Sequence, residues 1–237
     1  MTDKIDFAKT LDSYQAKRGE FRIVDVPEMQ YLMIDGHGDP NTSPAYAEAL
    51  AALYPVAYKL KFASKRSLGR DYVVPPLEGL WWADDMASFT TSRDKGRWDW
   101  TMMLMVPDWI DRAAFEAAVE QSGGKAPPTR LNDVRLQRLA EGRCVQTLHI
   151  GSFDAETDVL AQMHDTFFPD HGLRMDGKHH EIYFSDFRRV APEKLRTILR
   201  QPVAPANPTD SPKADALPSK PSAGMIIGGL LAGSSSP

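Results

Sequence analysis

Residues 31–50 read YLMIDGHGDPNTSPAYAEAL and residues 75–82 read PPLEGLWW; further along, 145–163 read VQTLHIGSFDAETDVLAQM and 179–186 read HHEIYFSD. Both pairs have the same order of parts: an apolar strand, a glycine turn, an amphipathic helix, then a short strand with a glutamate among aromatics. Ile34-Asp35-Gly36 aligns with His149-Ile150-Gly151, and Glu78-Gly79-Leu80-Trp81 with Glu181-Ile182-Tyr183-Phe184. Chance likeness between two amphipathic units is the competing explanation. The shared order favours an internal duplication. A duplicated module packs about a pseudo-two-fold axis, and the meeting of its halves is a natural place for a ligand cleft.

The remaining elements follow from local signals. Strands are expected at 20–26 and 29–36, broken at Pro27. Ser43 and Pro44 form an N-cap and first-turn pair. They open a helix with Tyr46, Leu50, Leu53, Ala57 and Leu60 on one face, kinked at Pro55. Val73 and Val74 precede two prolines and are extended; a short strand follows at 77–82. Residues 97–106 read as a long strand with Trp98, Trp100, Met102 and Leu104 on one side. Asp111 caps the next helix, Ile110 and Phe115 are placed as a hydrophobic staple, and Gly123-Gly124 ends it. A short helix is expected over 131–139, a strand over 143–150, a helix over 154–168, a strand over 179–185, and a last helix from Pro192 to about Arg200.

Composition narrows the function. A chain of 237 residues is long enough to bury a sizeable core. The net charge of −4 argues against a nucleic-acid partner. The single cysteine, Cys144, excludes an intramolecular disulfide and a cysteine-only metal site and suits a reducing cytoplasm; a buried inert thiol is its expected role. Residues 1–21 lack the apolar core of a secretory signal, and the apolar run at 224–233 is about half a membrane span, so no membrane partner is expected. The expected organisation is a lead-in at 1–19, a domain at 20–201 and a disordered Pro/Ala/Ser-rich tail at 202–237. Within the domain, module one covers about 20–106 and module two about 107–201. The lead-in is too short for a helix-turn-helix, which argues against a transcription factor.

Metal and cofactor are not expected. Adjacent His179 and His180 on a strand point to opposite faces, and His37, His164 and His171 lack ligand spacing. The glycine-rich 35–40 stretch lacks the Lys-Ser/Thr of a phosphate loop. The carboxylates and aromatics are the stronger signal. Strand parity puts Glu78, Leu80 and Trp82 on one face and Leu77, Gly79 and Trp81 on the other, while Glu181 shares a face with Tyr183. Two readings stand: exposed strand glutamates beside amphipathic aromatics, or two carboxylates lining one cleft. In the second, low polarity and like charge raise a carboxyl pKa, so one Glu serves as general acid while the other handles water. Tyr183 then donates to a developing oxyanion. The candidate catalytic residues are Glu181, Tyr183 and Glu78. The candidate ligand-binding residues are Trp81, Trp82, Trp98, Trp100 and His180, offering stacking surface to a flat hydrophobic small molecule. Trp98 and Trp100 also fit a core role, and Trp81 lines the cleft if the strand bulges at Gly79.

Three stretches carry a further likeness: VPEMQYLMIDGHGDPN at 26–41, DYVVPPLEGLWW at 71–82, and HHEIYFSD with RRVAPEKLRTILRQPV over 179–203. In this order the chain resembles the stand-alone branch of the GyrI-like small-molecule-binding family over residues 20–203. The resemblance implies an α+β fold of two pseudo-two-fold-related strand–helix–strand–strand modules, a mostly antiparallel sheet and a ligand cleft between the modules. It implies one of two activities: sensing or sequestering hydrophobic compounds, or hydrolysing cyclopropane-bearing alkylators with a carboxylate and a tyrosine. It places Glu181 and Tyr183 at the acid–base position, and Glu78, Trp81 and Trp82 in the aromatic cleft.

Overall fold

The chain enters through α1 (Phe7–Thr10) and a 3₁₀ turn, Asp12–Tyr14, in a computed structural model that describes residues 4–84 and 94–206. Pro27 separates β1 (Arg22–Val26) from β2 (Met29–His37), as its missing N–H requires. Ser43 stands at the N-cap and Pro44 in the first turn of α2 (Pro44–Ser67), though the Ser43 hydroxyl makes no capping bond; the helix continues through Pro55. Next come β3 (Leu77–Trp82) and β4 (Asp99–Val106). Asp111 Oδ1 accepts from the Ala114 N–H at 2.8 Å, starting α3 (Arg112–Gly123), and the staple pair Ile110 and Phe115 is buried.

Two expected helices are strands, and both are corrections. Residues 131–139 form a single 3₁₀ turn, Leu131–Asp133, followed by β5 (Arg135–Leu139) at the sheet edge. Arg135 and Arg138, three residues apart, mimic one helical face, but as charges on an edge strand they oppose further pairing. After Pro192 there is again only a 3₁₀ turn, Pro192–Lys194. Between these lie β6 (Gly142–Ile150), α4 (Glu156–Ala161), a π-helical turn Gln162–Phe167, α5 (Phe168–Asp170), β7 (Leu173–Met175) and β8 (His179–Tyr183). The chain then runs into β9 (Arg196–Pro205), a central strand. Thr197 to Val203 are all buried, so β9 has no polar face to reveal its period. Of the tail expected over 202–237, residues 207–237 lie outside the described residues.

Among the described residues the strand order is β1-β6-β9-β8-β3-β4-β2-β5, with β7 added beside β9, and every strand pairing is antiparallel. This order is a palindrome. Exchanging β1 with β5, β2 with β6, β3 with β8 and β4 with β9 reproduces it. The pseudo-two-fold axis therefore passes between β3 and β8, and each module's first strand is added to the far side of the other module. Superposing Gly36 on Gly151, as the sequence suggests, the ladder registers carry Leu77 onto Glu181, Glu78 onto Ile182 and Gly79 onto Tyr183. The pairing of Glu78 with Glu181 in the sequence motif is one residue out.

One sheet face carries a cluster of Leu32, Ile34, Trp100, Met102 and Leu104 under Ala49, Leu53, Val56 and Leu60 of α2, with Phe115 of α3. On the same face over module two, Val145, Leu199 and Val203 pack with Met163 and Phe168. The opposite face carries Val24, Tyr31, Met33, Met103, Met105, Ile182 and Ile198, covered by Phe7, Leu11 and Tyr14 of the lead-in.

Candidate functional site

β3 and β8 meet at the middle of the sheet with Gly79 opposite Glu181 and Leu80 opposite His180. Residues directly opposite in an antiparallel pair share a face. Leu77, Gly79 and Trp81 therefore lie with Glu181 and Tyr183 on the helix-covered face. Glu78, Leu80 and Trp82 lie with His180 on the other. The expectation that Glu78 and Glu181 line one cleft is overturned: the sheet itself separates them.

Above Leu77, Trp81, Glu181 and Tyr183 is a cavity of about 740 Å³. One wall is α2, which presents Tyr46, Leu50, Tyr54 and Tyr58 at four-residue spacing; the other is formed by Phe153 and Glu156 ahead of and within α4, with Phe187 and Leu195. The cavity thus sits between the modules, at the pseudo-axis. A hydrogen-bonded file crosses its floor. Trp81 Nε1 donates to the Tyr183 hydroxyl at 2.9 Å, and that hydroxyl donates to Glu181 Oε2 at 2.8 Å. Burial, reinforced by the charge of Glu181, holds the Tyr183 phenol well above its ordinary pKa, so it is a donor at any ordinary pH. Gly79 is required here: a Cβ would lie 2.8 Å from Trp81 Nε1 and 3.1 Å from the Tyr183 oxygen.

Aromatic rings complete the lining. Trp98 meets Trp81 edge-on at 5.8 Å between centroids, and Phe153 meets Tyr183 the same way at 5.8 Å. At the rim, charges are paired off: Lys95 with Asp154 at 3.2 Å and Arg188 with Asp186 at 2.9 Å. Burial raises the pKa of Tyr46 and Tyr54, with Glu181 adding to the effect on Tyr46, so both stay neutral donors facing the cavity.

The opposite face holds a different polar assembly. Glu78 is fully buried; its Oε1 accepts from the Tyr14 hydroxyl at 2.5 Å and its Oε2 lies 3.0 Å from His180 Nε2. His180 Nδ1 is 2.9 Å from Glu141 Oε1, and Arg200 Nη1 donates to Glu141 Oε2 at 2.8 Å. Arg200 also donates to Gln146 and to the Ser13 carbonyl. Burial opposes charge on His180, but Glu141 and the hydrogen bonds to both glutamates raise its pKa overall. Burial likewise pushes Glu141 up, yet His180 and Arg200 hold it down at about 2. Glu78, His180, Glu141 and Arg200 thus partner one another in the interior, which is the condition for burying such groups at all.

Of the residues singled out in the sequence, Glu181, Tyr183, Trp81 and Trp98 meet at the cavity. Four do not. Glu78 and His180 belong to the buried network, and Trp82 lies on that same face beneath the Lys178 ammonium, 3.1 Å from its ring centroid. Trp100 is core: its ring lies across Gly36, where a Cβ would be 2.0 Å from Trp100 Cη2, and it meets Tyr46 edge-on at 5.5 Å. Tyr54 and Tyr58 of α2 escaped the sequence reading, which set Tyr46 on the apolar face of the helix and not at the site. Their signal was present, because three tyrosines at multiples of four residues form a stripe too polar for a core.

The GyrI-like small-molecule-binding domain model matches residues 19–204. The chain belongs to the GyrI-like family. Solved relatives agree with that membership. An uncharacterized conserved protein from Listeria innocua is 41% identical, with a TM-score of 0.77, covering 85% of this chain and 100% of its own. A protein described as a hydrolase from Listeria innocua is 40% identical with a TM-score of 0.74 and the same coverage. The EcmrR C-terminal domain, at 11% identity, 79% and 98% coverage and a TM-score of 0.51, shares the fold. No match was found among the curated proteins. As a GyrI-like protein the chain is a small-molecule binder, and the cavity between its modules is the place its geometry offers a ligand. Among the described residues of this GyrI-like chain, no helix is long and apolar enough to cross a membrane.

Proposed function

We propose that this GyrI-like protein hydrolyses hydrophobic, electrophilic compounds of the cyclopropane type by ring opening, with Glu181 and Tyr183 carrying the proton transfers. The observation that carries the reading is the file Trp81–Tyr183–Glu181 on the floor of an aromatic cavity. The 40% identity to a protein described as a hydrolase supports it. An aromatic floor and edge-on tryptophans suit a flat conjugated ligand, and a carboxylate beside a phenol supplies one acceptor and one donor for protons.

The step is a hydration. Glu181 takes a proton from a water as its oxygen bonds to a ring carbon. The strained carbon–carbon bond breaks and its electron pair moves into the conjugated carbonyl. Tyr183 protonates that oxygen and is reprotonated from Glu181 across their 2.8 Å hydrogen bond. One water is consumed and the product is the ring-opened alcohol. Glu78, behind the sheet, has no part in it.

The test is to incubate the purified protein with a cyclopropane-bearing alkylator and follow the water-added, ring-opened product by mass spectrometry. Product formed by the wild type and lost in Glu181→Gln and Tyr183→Phe supports the proposal. Quenching of tryptophan fluorescence without product overturns it in favour of a sequestering binder. Undiminished turnover in Glu181→Gln overturns the assignment of the base.

A further inference from the structure

We propose that His179 is a positioning residue for Glu181, holding the carboxylate from behind while Tyr183 holds it from the cavity side. This rests on the reading of Glu181 as the base. His179 and Glu181 are two apart on β8 and so share its cavity face, with His179 Nε2 3.6 Å from Glu181 Oε1. The His179 side chain is 1% exposed, and that of Glu181 13%. The other oxygen, Oε2, accepts from Tyr183 at 2.8 Å. Each carboxylate oxygen therefore has its own neighbour, and the two together fix the plane of the group.

What stands behind His179 agrees with this role. The π-helical turn Gln162–Phe167 carries His164 into the neighbourhood of His179, whose ring acts on the His164 titration. Such turns are rare, and they re-aim side chains at functional sites. Burial first and His179 second push the His164 pKa down to about 4, so His164 is uncharged at neutral pH. Its Nε2 is buried and has no hydrogen-bond partner among the described residues. Other titratable groups around Glu181 are Tyr183 on the same strand, Tyr46 from α2 and Glu156 from α4, with Asp186 and Arg188 paired at the rim. Strand parity keeps His180 out of it, on the far side of the sheet.

The experiment follows Glu181 by carboxyl-carbon NMR across pH in the wild type, His179→Leu and His179→Gln, a readout that needs no turnover. Losing a favourable neighbour at this distance raises the Glu181 midpoint in His179→Leu by about one pH unit. An unchanged midpoint in the folded Leu variant overturns the proposal. The reciprocal measurement keeps it testable if that variant does not fold: in Glu181→Gln the His179 midpoint falls by about one unit, and no change there sinks it equally. If the hydrolase reading holds, His179→Leu lowers kcat by roughly tenfold with KM unchanged, and Gln, which keeps an N–H donor, restores most of it. Shifted midpoints without turnover leave the positioning role intact and reject only the hydrolysis.

Discussion

Each residue on the cavity floor has one job that its neighbours cannot take over. Removing the Glu181 charge while keeping its shape deletes the proton acceptor. Glu181→Gln is therefore expected to lose about 10²–10⁴-fold in single-turnover rate with an unchanged thermal midpoint. Gly79→Ala acts by volume alone. Its new methyl enters the space between Trp81 and Tyr183, so one of the two hydrogen bonds in the file must break. The expected outcome is at least a tenfold loss of turnover and altered tryptophan fluorescence at retained fold, read by steady-state emission. Tyr14→Phe works from the other face. It leaves Glu78 Oε1 buried without its donor and is expected to cost about 1–3 kcal/mol in urea denaturation, with turnover unchanged.

At the scale of elements, strands β3 and β8 carry the two polar assemblies back to back, and the pH response of the buried one follows from sign. The His180 pKa is raised by folding, so its contribution to stability is complete below the unfolded value and lost as pH rises through the folded one. Glu141 is depressed to about 2, so its contribution is present above the ordinary carboxylate range and lost as pH falls toward that value. The urea midpoint is expected to peak between about pH 5 and pH 7, and His180→Gln to lose the alkaline limb of that curve. The helices α2 and α3, each with one dry and one wet face, were legible in the sequence from their periodicity, whereas β2 and β3, buried on both faces, were legible from the prolines and turns that bound them. β9 was not, because Leu195, Ile198 and Leu199 imitate a helical face and buried Arg200 looks like an exposed residue. Partners more than fifty residues away, Glu141, Gln146 and the Ser13 carbonyl, explain that arginine. The same limit applied to the site. Parity along β8 correctly joined Glu181 to Tyr183. The register between β8 and β3, a matter of the whole sheet, decided that Glu78 faces away.

For the whole molecule, the exchange of β1 and β5 across the sheet ties the halves together. Without β5, β2 of module one has β4 on one side and a bare edge on the other, and without β1 the same holds for β6 of module two beside β9. Fragments 4–110 and 111–206 are each expected to be unfolded by circular dichroism when prepared alone, and to recover sheet signal on mixing. A folded fragment 111–206 on its own would refute this. The duplication also bears on why the chemistry is lopsided. Gly79 and Tyr183 occupy equivalent places about the pseudo-axis, yet the space at that point admits a single phenol. Two identical subunits would have to bring either two tyrosines, which collide, or two glycines, which leave nothing to donate. Joining the copies in one polypeptide frees each to mutate without its twin, so an off-axis reaction centre becomes available that strict symmetry forbids.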